Sequence, residues 1–279
     1  MITDDQTNFL YLADTLPKMY PDFYQNLEKV LTECSISFEL LPGTKDIWSR
    51  DYMPIQLAAD RFVQFVFDPD YLQSKQWQKT ISDTNAICSS IGIVPTKSAI
   101  KVDGGNVVRA SNKAIMCDKV FTENPQIPEK KLIKALQEHL EVERIVIIPA
   151  DSSDKIGHAD GMVRFLDDRT VLINDYSKEK PQFQRSFRMA LHNAGLDWME
   201  IPYNPYCNAK PIHANGVYIN YLQMKEVIIL PVFGMKEDEQ VVRQFEQLSP
   251  ASNIATVDSN DIAAQGGVLN CITWNIKKS

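Results

Sequence analysis

The residues able to do chemistry are concentrated in a few short stretches. In GHADGMVRF, residues 157–165, His158 and Asp160 stand two positions apart. The small and apolar residues around them read as a strand, and positions i and i+2 of a strand share a face. Asp51 lies in DIWSRDYMP, Asp103 in KVDGGNVV and Cys271 in AQGGVLNCITWN. One thiol, one imidazole and three carboxylates resemble a site for nucleophilic catalysis. A cysteine protease needs at most one Asp or Asn behind its His. Two further carboxylates facing one pocket would repel each other and resist ionising unless the ligand brings positive charge. A guanidinium does so. It is always charged and planar, it offers a fork of N–H donors that carboxylates accept in pairs, and its carbon is open to attack by a thiolate.

The elements that must position these groups form a repeat. Short apolar strands end in LLPG, IVPT, IIPA and EIPY, with prolines at 42, 95, 149 and 202, at steps of 53, 54 and 53. A fifth strand, IATVD, puts Val257 at the next place, 55 further on. Each follows an amphipathic helix starting near Pro21, Ser74, Pro128, Pro181 or Lys236. In the first of these helices Phe23, Leu27, Val30, Leu31 and Cys34 share a face. Pro128 and Pro181 suit a first helical turn. After the loop come two more strands, such as GMVRFL with RTVLIND and GVYINYL with EVIILPV.

The unit therefore reads helix, strand, loop, strand, strand, and five such units fill the chain. The fifth has one strand, NCITWNI, after its loop. FLYLAD at the N-terminus resembles the VLINDY strand of another unit and is expected to pair with NCITWNI, closing a ring without free edges. The fold expected is α/β, with residues 1–279 forming one domain of five repeats of about 54 residues around an axis. Equivalent loops in a ring converge, so Asp51, Asp103, His158, Asp160 and Cys271 are expected to meet there. The glycines beside them suit tight turns and close backbone approach.

Composition narrows the partners. The 279 residues are 44% hydrophobic and 23% charged, with a net charge of −7 spread without blocks. No basic cluster suggests nucleic acid; a mildly acidic chain suits a cationic ligand. No apolar run is long enough to span a membrane, and the acidic N-terminus lacks the features of a signal peptide. Five cysteines without CxxC spacing argue against a disulfide framework or a zinc site and for the cytoplasm. Nothing in the sequence bears on oligomeric state.

WSRDYMP, DGGN, GHADGMVRF and GGVLNCIT together resemble the blocks of the agmatine deiminase and bacterial peptidyl-arginine deiminase family. The resemblance runs from about Trp48 to Thr273 and implies the pentein fold, a five-fold pseudo-symmetric αβ propeller. It implies a cofactor-free, metal-free hydrolase acting on a small guanidino cation such as agmatine or an arginine derivative. Cys271 would be the nucleophile, and Asp51 and Asp160 would hold the guanidinium nitrogens. His158 would protonate the leaving ammonia and then activate water, with Asp103 orienting it. The family's usual His before the Cys is here Asn270, and its usual Glu is here Asp103, one methylene shorter.

The same site logic serves an amidinotransferase, and a catalytically silent pentein binding a cationic metabolite or a protein is the reading from another class. Trp48 belongs to the pocket wall or the core. Asn220, in YINYL, faces the axis or supports a turn. Arg50 and Arg164 are expected as structural ion-pair partners, His213 at the pocket rim, and His139 and His192 in solvent.

Overall fold

The computed structural model describes residues 1–151, 154 and 156–278; Lys155, which opens the third loop, lies outside the described residues. Its strands form five sheets of three strands each. The first sheet joins the two ends of the chain. β1 (Phe9–Ala13) pairs antiparallel with β15 (Thr273–Ile276), Leu12 opposite Thr273, and parallel with β2 (Phe38–Leu41). The next sheets are β3 (Ile55–Ala58), β4 (Arg61–Val66) and β5 (Thr96–Lys101), then β6 (Val108–Arg109), β7 (Lys113–Cys117) and β8 (Arg144–Ile148). They are followed by β9 (Val163–Phe165), β10 (Thr170–Asn174) and β11 (Asp197–Ile201), and by β12 (Leu222–Met224), β13 (Val227–Val232) and β14 (Asn253–Asp258).

Every sheet has the same plan: an antiparallel pair, then a parallel strand reached through a helix, the connection that parallel pairing demands. The connecting helices are α1 (Pro21–Glu33), α2 (Thr84–Ser90), α3 (Glu129–Leu140), α4 (Pro181–Asn193) and α5 (Glu237–Leu248). Each buries one stripe, for example Phe23, Leu27 and Leu31 of α1 and Leu132, Leu136 and Leu140 of α3. Burying such a side chain is worth about 1.5–3 kcal/mol. In α1 the stripe is narrower than the expected face, since Val30 and Cys34 are only partly buried. The middle strands are buried along most of their length, whereas β2, β5, β11 and β14 are largely exposed and form the outer edges. Among the described residues no helix is long and apolar enough to cross a membrane.

Unit two departs from the expected spacing. Ser74 caps only the one-turn helix Lys75–Gln78, its side chain accepting from the Trp77 N–H. The packing helix begins later, where Asp83 accepts from the Ala86 N–H. Its strand therefore starts after Pro95 rather than ending there, as suits a residue with no N–H for the ladder. The GVYINYL segment also pairs later than expected. Gly216 is left-handed (φ +85°) and the Asn220 carbonyl accepts from the Asn270 N–H, which holds the segment in turns until β12.

Candidate active site

The expected strand over GHADGMVRF forms only from Val163. His158 caps a short 3-10 turn, Ala159–Gly161, entered through the left-handed Gly157 (φ +68°). His158 and Asp160 thus share a site through a turn rather than through the pleat of a strand. Backbone polar groups in such a turn bond locally, which shortens the ladder.

All five loops lie just before the first strand of their sheet, and hydrogen bonds join them in a closed circuit. The Gly105 N–H donates to Asp51 Oδ1 at 3.0 Å. His158 Nε2 lies 2.8 Å from Asp103 Oδ2, and its Nδ1 lies 3.4 Å from Asp51 Oδ1. Asn220 Nδ2 donates to the Asp160 carbonyl at 3.4 Å, and Asn220 Oδ1 accepts from the Cys271 N–H at 3.3 Å. The Arg50 N–H returns to the Cys271 carbonyl at 3.2 Å. The circuit brings Asp51, Asp103, His158, Asp160, Asn220 and Cys271 together, all of them buried. The glycines permit this. A β-carbon on Gly105 would lie 2.6 Å from Asp51 Oδ1 and 2.7 Å from His158 Nδ1. On Gly267 it would lie 2.5 Å from the Trp48 ring and 3.1 Å from the Cys271 β-carbon, so Trp48 stands beside the thiol.

Burial and like charge govern the titration. Burial alone would push His158 down, but Asp51, the hydrogen bond to Asp103 and the charges of Asp103 and Asp160 raise it to about 10. Burial pushes Asp51 up to about 7; His158 opposes the rise and the charges of Asp103 and Asp160 add to it. Cys271 Sγ lies 3.6 Å from Asp160 Oδ2. Burial, then Asp160 and Asp51, drive this thiol well above its ordinary range. A cation placed between the carboxylates reverses that pressure. Among the described residues no group of three or more His, Cys, Asp or Glu side chains is placed to hold a metal ion.

A cavity of about 830 Å³ opens over these groups, lined at its floor by Asp51, His158, Asp160, Asn220 and Cys271 and on its walls by Trp48 and Tyr71. His213 lines it as well. His192 is exposed, whereas His139 is partly buried, edge-on to Phe65. Arg164 pairs with Asp4 at 2.7 Å. Arg50 bonds the Asn270 carbonyl and Asn275 Oδ1, so it acts through neutral oxygens rather than a direct ion pair. Both arginines line a second cavity, of about 470 Å³, that shares Asp160 with the first.

Sequence reasoning missed several groups. Asn270 Nδ2 donates to Asp160 Oδ2 at 2.6 Å, holding the carboxylate beside the thiol. Tyr71 donates to Asp103 at 3.2 Å. Lys119 lies 3.9 Å from Asp103, 3.5 Å from Glu123 and 3.2 Å from Asp70, and 4.5 Å above the Tyr71 ring. Burial and Asp103 push Glu123 up to about 7. Asn270 was visible as the neighbour of Cys271, but Tyr71, Lys119 and Glu123 carry no local spacing that marks them.

The sequence profile of the family described as Porphyromonas-type peptidyl-arginine deiminase matches residues 19–276. The chain belongs to this family. A Photobacterium profundum protein that carries agmatine deiminase as a provisional name is 23% identical over 98% of this chain and 88% of its own length. A Legionella pneumophila relative with the same provisional name is 25% identical over 67% of this chain but only 56% of its own length. Among solved structures, a Cys-to-Ser variant of C. jejuni agmatine deiminase with substrate bound superposes with a TM-score of 0.82 at 19% identity, covering 100% of this chain and 96% of that one. An amidinotransferase from Microseira wollei superposes at 0.63 with 13% identity, covering 98% and 95%. The fold of this family member is the pentein fold, an α/β propeller of five small sheets.

Proposed function

We propose that the chain, acting as a single domain over residues 1–279, hydrolyses a C–N bond of a small guanidino cation and releases ammonia and a ureido product. Family membership supports a guanidino-group hydrolase. The observation that carries the mechanism is the closed circuit that gathers Cys271, His158, Asp51 and Asp160 at the floor of one cavity, with Asp103 bonded to the imidazole behind it.

Asp51 and Asp160 accept from the guanidinium nitrogens. The arriving positive charge lowers the thiol's proton affinity, and Cys271 loses its proton to solvent. The thiolate attacks the guanidinium carbon, forming a C–S bond. His158, protonated at neutral pH, gives its proton to the departing nitrogen as the C–N bond breaks and ammonia leaves. The neutral imidazole then takes a proton from water as its oxygen attacks the amidino-thioether carbon. The adduct loses its hydroxyl proton, the C–S bond breaks, and the thiolate and the ureido product separate. The ammonia takes up the released proton. Asp103 orients the imidazole and stabilises its charged form.

The chain's own residues supply every group this scheme needs, without a cofactor. Cys34, Cys88, Cys117, Cys207 and Cys271 are all free thiols, which supports a cytoplasmic location. Agmatine as substrate would place the protein in putrescine biosynthesis.

Ammonia release from agmatine, arginine and an arginine peptide tests the reading. We expect release from at least one guanidino compound by the wild-type protein and none by a folded Cys271→Ala variant. Turnover retained in Cys271→Ala would refute the covalent route.

A further inference from the structure

The cavity over Cys271 is larger than the reacting groups require. A guanidino head on a four-carbon amine tail has about nine non-hydrogen atoms. At roughly 30 Å³ each, a water's share of liquid volume, it takes up about a third of the space. Much of the remaining wall is apolar. A β-carbon on Gly266 would lie 3.0 Å from Ile212 Cδ1, and one on Gly267 would meet Trp48 and the Cys271 β-carbon. The apolar surface thus runs from the thiol past Trp48 to Ile212. The wall also carries Met19, Trp77 and Tyr206.

Met19 is 54% exposed, Trp77 51%, Tyr206 40% and Ile212 37%. Four of the nine large apolar side chains most exposed among the described residues therefore gather at one opening. Scattered exposed apolar residues need no explanation, but a group that continues the wall of a reactive cavity does. Acidic groups outnumber basic ones on the walls, which disfavours a free carboxylate. Burial pushes Asp46 up to about 7 and raises Asp154, so both pull less on an amine, which leaves Asp151 and Glu179 as the other acidic residues of the wall.

We infer that the mouth formed by Met19, Trp77, Tyr206 and Ile212 is a subsite for an apolar group on the substrate, an aryl or branched alkyl tail beyond the guanidinium. This rests on the guanidino chemistry proposed above and names the tail that chemistry serves best. Burying such a tail against these side chains favours it over a charged end that stays hydrated.

The probe is 4-phenylbutylguanidine, which carries a phenyl ring where agmatine carries its amine. We expect its kcat/KM to exceed that of agmatine at least tenfold. We expect Trp77→Ala and Ile212→Ala to lower it about tenfold while changing agmatine less than twofold, with thermal melts unchanged. Equal or better turnover of agmatine, or equal losses for both compounds, would overturn the inference. If neither compound is turned over, arginine and the arginine peptide still test the hydrolase reading, and calorimetry on Cys271→Ala judges the subsite alone. Tighter binding of the phenyl compound, lost in Trp77→Ala, supports it; equal binding of the two compounds overturns it.

Discussion

Replacing Gly105 by alanine adds one methyl group to the floor of the site, where two side chains already occupy the space. The new carbon would lie 2.6 Å from Asp51 Oδ1 and 2.7 Å from His158 Nδ1. Reaching ordinary contact at 3.4 Å requires each to give by roughly 0.7–0.8 Å. Neither is free to do so. Asp51 Oδ1 is tied at 3.0 Å to the N–H of Gly105 itself, and His158 is tied through Nε2 to Asp103 at 2.8 Å. The imidazole can pivot on that bond, so the expected result is a folded protein with the acid–base group turned away from the reacting nitrogen. Overpacking of this kind costs about 1–3 kcal/mol of stability. A displacement approaching 1 Å costs about 100-fold in kcat. Ammonia release under saturating substrate reads the second quantity, and denaturant melts read the first. Gly161→Ala is the control, because its β-carbon would meet nothing within 4 Å. A Gly105→Ala variant with kcat within threefold of wild type would refute the argument that this close packing sets the geometry of Asp51 and His158.

The pH profile follows from Asp51. Burial raises it to about 7, so below that pH its carboxyl is protonated and has no charge to pair with a cation; kcat/KM is expected to fall more steeply below pH 7 than above it, by a further factor of about ten per unit. Asp51→Asn should abolish that limb along with most of the activity, and a flat wild-type profile from pH 5 to 8 would contradict the assignment. Asp4 is expected to contribute to acid stability. Burial alone would raise it, yet Arg109, Arg164 and Arg50 hold it well below the usual carboxylate range. A depressed group contributes stability above its unfolded value, near 4, and that contribution is lost as pH falls toward the folded one. Asp4→Asn is expected to cost about 3 kcal/mol at pH 7, with the gap to wild type narrowing in urea melts between pH 5 and 2.5; a constant gap would show that the arginine cage does not depend on this charge.

Local patterns carried most of the architecture. A stripe repeating every 3.6 residues marks a helix that must bury one face, and it placed α1, α3, α4 and α5 within a residue of where they start. The likeness of FLYLAD to an internal strand anticipated the pairing of β1 with β15. Reading failed where a side chain bonded to backbone, or a left-handed glycine, competes with the pattern. Asp83 captured the helix start in unit two, Asn220 bound the Cys271 N–H, and Gly157 turned His158 and Asp160 into a 3-10 turn. Only the Asn220 bond joins residues distant in sequence, which no window of neighbours contains; the other two are local alternatives that hydrophobic periodicity does not rank.

By itself the sequence determined the unit, its fivefold recurrence and the residue types in each loop, because helix and strand periodicity and turn chemistry are properties of neighbouring residues. Only the tertiary structure decided that Asp51 meets His158 through Gly105, that Asn270 holds Asp160 and that Lys119 stands behind Asp103. The same holds for the apolar mouth, whose residues come from positions 19, 77, 206 and 212. Burial and charge act through space: a carboxylate's titration and a cavity's shape depend on groups a few ångströms away, whatever their separation along the chain.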